Sequence, residues 1–121
     1  MVVKVGVIGV GGMGNLYIRV FKESGRAEVA AIADVDEKRL KHMASSYKID
    51  KAFTDWTKLT EMSSLDAVAI CTPPKFHRDQ AVAALEAGKH VICEKPPATT
   101  VAEAEDMAKA AEKNGRVLIY G

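Results

Sequence analysis

The stretch Val2–Gly14, VVKVGVIGVGGMG, decides the fold of this 121-residue chain. Its first half is an apolar run rich in valine, which predicts a buried strand. Its second half places Gly9, Gly11 and Gly14 in the spacing G-x-G-x-x-G, with Gly12 as an extra glycine. A strand that runs into this spacing and then into a helical pattern is typical of a dinucleotide-binding unit.

Each glycine of the motif has its own expected role. Gly9 allows a sharp turn at the strand end, Gly11 lets the backbone approach a pyrophosphate, and Gly14 lets the helix pack close to the strand. The free N–H groups and the positive dipole end of that helix favour an anion. The motif alone is a weak signal, because the same spacing also occurs in ordinary turns.

A second apolar run, Ala27–Asp34, ends in an acid twenty residues after Gly14. An acid at this offset accepts hydrogen bonds from the adenosine ribose hydroxyls, although Asp34 could instead cap the next helix, as we expect of Asp36. Arg39, on the basic face of that helix, is the one nearby residue suited to a 2′-phosphate. Because the Asp34 carboxylate would repel such a phosphate, the sequence predicts NAD rather than NADP.

Strand and helix patterns alternate along the rest of the chain. The first helix is predicted to pack through four apolar residues at helical spacing, Met13, Leu16, Val20 and Phe21. The last helix begins at a capping box, Thr100–Glu103, and ends at Gly115. Apolar runs predict the later strands at 27–34, 52–54, 67–71, 90–93 and 117–120. The order predicts an α/β fold, a doubly wound parallel sheet of about six strands.

Two segments follow strands of this sheet and are expected at its ligand-binding edge. Thr72–His77 contains two prolines, which make the loop rigid; its histidine is either an acid or base or a structural residue. Glu94–Pro97 carries Lys95, whose ammonium would hydrogen-bond a substrate oxygen and stabilise charge during hydride transfer. The alternative is a surface Glu/Lys pair in a proline turn. For Trp56 we expect packing rather than a stacking platform.

The composition limits the partners and the compartment. Seventeen basic and sixteen acidic side chains give a net charge of +1, so we expect no nucleic-acid or membrane partner. No stretch reads as a membrane span or a signal peptide, which predicts a cytoplasmic protein. Cys71 and Cys93 form neither a C-x-x-C pair nor part of a zinc pattern, so we expect buried thiols and no metal.

Taken together, the motifs resemble the N-terminal Rossmann domain of the glucose-fructose oxidoreductase, inositol dehydrogenase and MocA family, over essentially all 121 residues. Four segments carry the resemblance: VGVIGVGGMG at 5–14, the acid in AIADVDEKRL, CTPPKFH at 71–77 and AGKHVICEKPPATT at 87–100. The last is the most specific, because its A-G-K-H-V-x-x-E-K-P block is combined with the T-P-P-x-x-H turn.

The resemblance implies a set of cofactor-binding residues. These are Gly9, Val10, Gly11, Gly12, Met13 and Gly14 for the pyrophosphate, Asp34 for the ribose, Thr72, Pro73, Pro74 and His77 for the dinucleotide, and Glu94 and Lys95 for the nicotinamide end. Lys95 is also the expected catalytic residue. The family commonly has a cis bond between this lysine and Pro96, whereas Pro97 replaces the aliphatic residue often found next.

The implied function is an NAD-dependent oxidoreductase that transfers hydride to or from a hydroxyl-bearing carbon of a sugar, cyclitol or similar small molecule. Family members continue into a second domain that supplies most of the substrate pocket and oligomer contacts, and no such domain is present in this sequence. We therefore expect residues 1–121 to be a fragment that binds NAD without turnover. The alternatives are a nucleotide-sensing or regulatory module and another Rossmann reductase acting on imines or biliverdin-like substrates.

Overall fold

Six strands and five helices alternate in the computed structural model, which describes residues 1–121. The strands are β1 (Val3–Ile8), β2 (Ala27–Ala33), β3 (Lys51–Phe53), β4 (Ala67–Ile70), β5 (His90–Cys93) and β6 (Leu118–Tyr120). The helices are α1 (Gly12–Ser24), α2 (Glu37–Tyr47), α3 (Trp56–Thr60), α4 (His77–Glu86) and α5 (Val101–Asn114). A 3₁₀ turn over Pro74–Phe76 leads into α4.

The six strands form one parallel sheet in the order β3-β2-β1-β4-β5-β6. The predicted doubly wound parallel sheet is thereby confirmed. Because β1 pairs with both β2 and β4, the strand order reverses at β1. Open α/β sheets bind ligands in the crevice at such a reversal, outside the carboxyl ends of the strands.

Two apolar cores lie on opposite faces of the sheet. One contains Leu59, Leu85 and Met107, from α3, α4 and α5. The other contains Ile18 from α1 and Leu40 from α2. All four residues of β4 are buried, as expected for a central strand covered on both faces. Each fully buried aliphatic side chain contributes about 1.5–3 kcal/mol, so the two cores stabilise the sheet.

The predicted packing face of α1 is wrong. Three of its four residues are exposed by between 36% and 52%: Met13, Leu16 and Val20. The helix packs instead through Gly14 and Ile18, which are buried. A Cβ at Gly14 would lie 1.9 Å from the carbonyl oxygen of Gly9, so only glycine permits this approach. The close contact sets the rotation of the helix, and hydrophobic spacing alone does not.

The helix caps agree with the sequence. Asp36 accepts a hydrogen bond from the Arg39 N–H at the start of α2, and Thr100 accepts one from the Glu103 N–H at the start of α5. Gly115 ends α5 in the left-handed region, with φ of 61°. The longest helix has 14 residues, and no helix combines the length and apolar character that crossing a bilayer requires.

Candidate functional site

A cleft of about 340 Å³ opens at the carboxyl ends of β1, β2 and β4. Five of the sequence-predicted residues line it: Gly9, Gly11, Asp34, Thr72 and Pro73. Eight lining residues were not predicted as binding residues: Ile8, Val35, Arg39, Thr54, Trp56, Cys71, Phe76 and Gln80. The fold therefore brings the glycine turn, the acid and the T-P-P loop to one crevice.

The glycine turn presents bare backbone to this cleft. Gly9 has φ of +87°, a conformation that other residues rarely adopt, and its N–H donates to the carbonyl of Ala33 at 2.8 Å. Gly11 is the N-cap of α1 and has no side chain to occupy the first-turn N–H groups. Gly12 and Met13 are exposed beside it. The start of α1 is thus available to an anion.

Asp34 is buried, with 7% of its surface exposed, and it is hydrogen-bonded to the glycine turn. Its Oδ2 accepts a hydrogen bond from the Val10 N–H at 2.9 Å, and its Oδ1 accepts one from the Asp36 N–H at 2.8 Å. Burial by itself raises the pKa of this carboxyl, but the two N–H donors and the Arg39 guanidinium outweigh burial and lower the pKa below its ordinary value. A charged carboxylate therefore lies at the floor of the cleft.

Arg39 reaches the same carboxylate from α2. Its Nε lies 3.3 Å from Oδ2 of Asp34 and its Nη2 lies 3.4 Å from Oδ1. These contacts are long, and the Arg39 side chain is 47% exposed, so the guanidinium is the replaceable partner of Asp34. The repulsion between Asp34 and a phosphate, on which the NAD prediction rested, is weaker with this cation present.

Trp56 packs against the core, as expected, and it also reaches the cleft. Gln80, which is buried, accepts a hydrogen bond from the Thr72 hydroxyl at 2.6 Å. No spacing in the sequence marks Trp56 or Gln80 as part of a site. The order of the strands in the sheet brings their helices to the cleft.

His77 does not reach the cleft, although it was predicted to bind cofactor. Its ring is fully buried, with Nε2 2.6 Å from the Thr72 carbonyl oxygen and Nδ1 3.0 Å from the Pro96 carbonyl oxygen. Each ring nitrogen therefore lies against a backbone carbonyl of a different loop. The histidine thus links the T-P-P loop to the loop that follows β5. Pro74 likewise begins the 3₁₀ turn outside the lining of the cleft.

The segment Glu94–Pro97 lies at the same edge, next to the T-P-P loop. Lys95 is exposed and its N–H donates to the carbonyl of Gly121 at 3.1 Å. The Lys95–Pro96 peptide bond is cis, as the resemblance implies. Glu94 and Lys95 form no ion pair with each other, since all four ion pairs of the structure join other residues. Glu94 instead accepts a hydrogen bond from the Tyr17 hydroxyl, a contact that no sequence signal announced.

Residues 3–121 match the family model of oxidoreductases with an NAD-binding Rossmann fold. This chain belongs to the GFO/IDH/MocA oxidoreductase family. The resemblance read from the glycine turn and the E-K-P block is thereby confirmed. Residues 3–121 include both the lining of the cleft and the Glu94–Pro97 segment.

Three of its relatives show the range of the GFO/IDH/MocA family. The chain is 34% identical to a myo-inositol 2-dehydrogenase of Thermotoga maritima, over 98% of this chain and 35% of that protein. It is 30% identical to a scyllo-inositol 2-dehydrogenase (NADP(+)) of Bacillus subtilis, over 97% and 36% respectively. A levoglucosan dehydrogenase in complex with NADH superimposes with a TM-score of 0.93 at 28% identity, over 99% and 34%. The chain spans about a third of the length of these proteins.

The residues present in this family member fit a dinucleotide. The Gly9–Gly14 contact leaves no room for a side chain at residue 14, and no side chain caps the N-terminus of α1. The ionised carboxylate of Asp34 lies at the floor of the same cleft. Backbone N–H groups that can donate to an anion and a carboxylate that can accept from hydroxyls thus lie in one cleft.

The thiols of Cys71 and Cys93 lie close to this edge, but neither is a reactive thiolate. Burial raises the pKa of Cys71 and of Cys93 to about 12, so both stay protonated and weakly nucleophilic at neutral pH. Both are free cysteines. No group of three or more His, Cys, Asp or Glu side chains is placed to hold a metal ion.

Proposed function

We propose that this chain is the cofactor-binding half of an NAD-dependent oxidoreductase that acts on a hydroxyl-bearing carbon of a sugar, cyclitol or related small molecule. The observation that carries the proposal is the hydrogen bond from the Val10 N–H to Asp34, which joins the glycine turn and the acid in one cleft. The substrate class rests on the relatives, which are dehydrogenases of inositols and other small molecules.

Each element of the cleft has one role in this proposal. The first-turn N–H groups of α1 bind the pyrophosphate, because they carry the positive end of the helix dipole. Asp34 accepts hydrogen bonds from the adenosine ribose hydroxyls in place of the contacts that Arg39 makes with it. Trp56 and Phe76 provide apolar walls for the adenosine half.

Lys95 is the residue that we assign to chemistry. The nicotinamide ring, when bound, supplies the hydride acceptor or donor. Lys95 donates a hydrogen bond to the substrate oxygen and stabilises the negative charge that develops there. Its ammonium is exposed and takes part in none of the ion pairs of the structure, which leaves it free for a ligand. A module that only senses nucleotides has no need of such a free cation.

Cofactor choice is tested by titrating the chain with NAD and with NADP and comparing dissociation constants by calorimetry. We expect NAD to bind more tightly, because Asp34 accepts from ribose hydroxyls and repels a 2′-phosphate. Replacing Asp34 with alanine should weaken NAD binding by about tenfold, since it removes charged acceptors. Tighter binding of NADP to the unaltered chain would overturn the NAD assignment.

Turnover is tested separately, by following absorbance of the reduced cofactor with myo-inositol as the trial substrate. We expect binding of NAD without turnover by residues 1–121. Lys95 lies on an open edge, whereas efficient hydride transfer needs the reacting atoms held close together and shielded from water. Measurable dehydrogenase activity in this chain would contradict that part of the proposal.

A further inference from the structure

The side chain of Glu94 is held by Tyr17. The Tyr17 hydroxyl, on α1, donates to Oε2 of Glu94 at 2.5 Å across 77 positions of sequence. The tyrosine ring is half-buried and meets the ring of Phe21 edge-on, with centroids 6.0 Å apart and an interplanar angle of 87°. Such a contact limits the orientations open to the phenol.

The hydroxyl also lies against the backbone of Gly121. A Cβ at Gly121 would be 2.5 Å from the Tyr17 oxygen and 3.7 Å from Oε2 of Glu94. Gly121 is itself anchored to this edge, since its N–H donates to the Cys93 carbonyl at 2.9 Å and its carbonyl accepts from the Lys95 N–H. The hydrogen bond between Tyr17 and Glu94 therefore occupies a position that a side chain at residue 121 would obstruct.

The pair is fixed as donor and acceptor. Burial first, then the hydrogen bond and the charge of Glu94, raise the pKa of Tyr17 well above its ordinary value. The phenol therefore remains a proton donor throughout the physiological range. Glu94 uses Oε2 for this bond, while its Oε1 accepts none of the side-chain hydrogen bonds of the structure. One carboxylate oxygen is thus oriented and left free.

We propose that Tyr17 is a positioning residue, which orients Glu94 so that its free Oε1 accepts a hydrogen bond from the carboxamide N–H of a bound nicotinamide. The inference rests on the proposed function, because it assigns the Glu94 end of the edge to the nicotinamide half of the dinucleotide.

The test compares NAD with ADP-ribose, which has the same adenosine and pyrophosphate but no nicotinamide. Dissociation constants of both ligands are measured by calorimetry for the 121-residue chain and its variants. The unaltered chain should bind NAD more tightly than ADP-ribose. Tyr17→Phe should lower this preference by about threefold to tenfold, as expected for losing one oriented hydrogen bond to a charged group.

Two further variants separate positioning from general damage. Gly121→Ala keeps the hydroxyl but obstructs its position, so it should lower the preference in the same direction, and it serves where Tyr17→Phe is poorly folded. Tyr47→Phe is the matched control, because its hydroxyl donates to Oδ1 of Asn15 at the same 2.5 Å but away from Glu94. The control should leave the preference unchanged. Thermal melting of each variant verifies that it is folded.

The outcomes are distinct. An unchanged preference in folded Tyr17→Phe or Gly121→Ala overturns the inference, as does an equal loss of affinity for both ligands. Equal affinity of the unaltered chain for NAD and ADP-ribose also overturns it, while the proposed dinucleotide function survives. If the unaltered chain binds neither ligand, the proposed function itself fails.

Discussion

The glycine turn at 9–14 and the segment Glu94–Pro97 share one edge of the sheet, but they are held there in different ways. The turn is held by contacts that depend on the absence of side chains, as between Gly14 and the carbonyl of Gly9. The Glu94–Pro97 segment is held by two side chains from opposite faces of the sheet, Tyr17 and His77.

This difference separates two kinds of preorganisation. At Gly9 and Gly14, one extra methyl group would overlap backbone atoms, so tolerance to substitution at these two positions is very low. In the Glu94–Pro97 segment, removal of a side chain leaves polar groups unpaired but pushes no backbone aside. The turn should therefore fail through steric overlap, and the segment through loss of hydrogen bonds.

The largest expected effect concerns the glycine turn. Gly14→Ala should destabilise the chain by about 3–4 kcal/mol, because a Cβ placed 1.9 Å from a backbone oxygen forces α1 away from β1. Urea denaturation measures the loss. Gly12→Ala is the control, since a Cβ there meets nothing within 4 Å, and it should leave stability unchanged or slightly higher. Equal stability of the two variants would show that the close contact is not what holds the turn.

The next effect concerns the Glu94–Pro97 segment. His77→Ala should cost about 2–3 kcal/mol, because it leaves a cavity and removes the ring nitrogens that contact the Thr72 and Pro96 carbonyls. The measurement is again urea denaturation, with the exposed His42→Ala as the control. If both histidine variants unfold at the same urea concentration, the link between the two loops contributes nothing to stability.

A smaller effect probes the acid beside the turn. Asp34→Asn should cost about 2 kcal/mol at neutral pH, because an amide has one acceptor oxygen for the N–H groups of Val10 and Asp36. The pKa of Asp34 is lowered on folding, so its charge stabilises the fold above the ordinary aspartate pKa. This contribution is lost as pH falls through the lower pKa of the folded state.

Denaturation midpoints as a function of pH measure this linkage. The unaltered chain should lose stability more steeply than Asp34→Asn as the pH drops below about 4, so that the two curves converge. Parallel curves across the acid range would mean that Asp34 does not gain stability from ionisation in the fold.

The smallest effect concerns the rim of the cleft. Arg39→Gln should change stability by less than about 1 kcal/mol, because the guanidinium is largely solvated and its contacts with Asp34 are long. The affinity of this variant for NADP should fall more than its affinity for NAD, since the substitution removes the only cation that lines the cleft and could face a 2′-phosphate. The neighbouring exposed Lys38→Gln is the control. Equal losses for both cofactors would place Arg39 outside cofactor choice.

Much of the fold was predictable because its signals are local. The strand runs, the caps at Asp36 and Thr100, and the turn at Gly9 each depend on a few consecutive residues, and the structure contains all of them. The packing face of α1 was predicted incorrectly, because hydrophobic spacing competes there with the close contact at Gly14.

The site was predictable only in part, for the same reason. Asp34 could be placed beside the glycines because the strand–helix–strand unit sets their separation. The burial of His77 between two loops and the contact of Tyr17 with Glu94 involve residues from separate layers, and no spacing in the chain encodes them. Trp56 reached the cleft through the pairing of β2 with β3.

By itself the sequence determined the parallel sheet, the glycine turn and the acid that faces it, because each follows from local geometry and from the period of apolar residues. Only the tertiary structure decided how the Glu94–Pro97 segment is held and which atoms the His77 ring contacts. It also decided that Arg39 contacts the carboxylate of Asp34. These depend on side chains that approach from opposite faces of the sheet, and packing alone brings them within hydrogen-bonding distance.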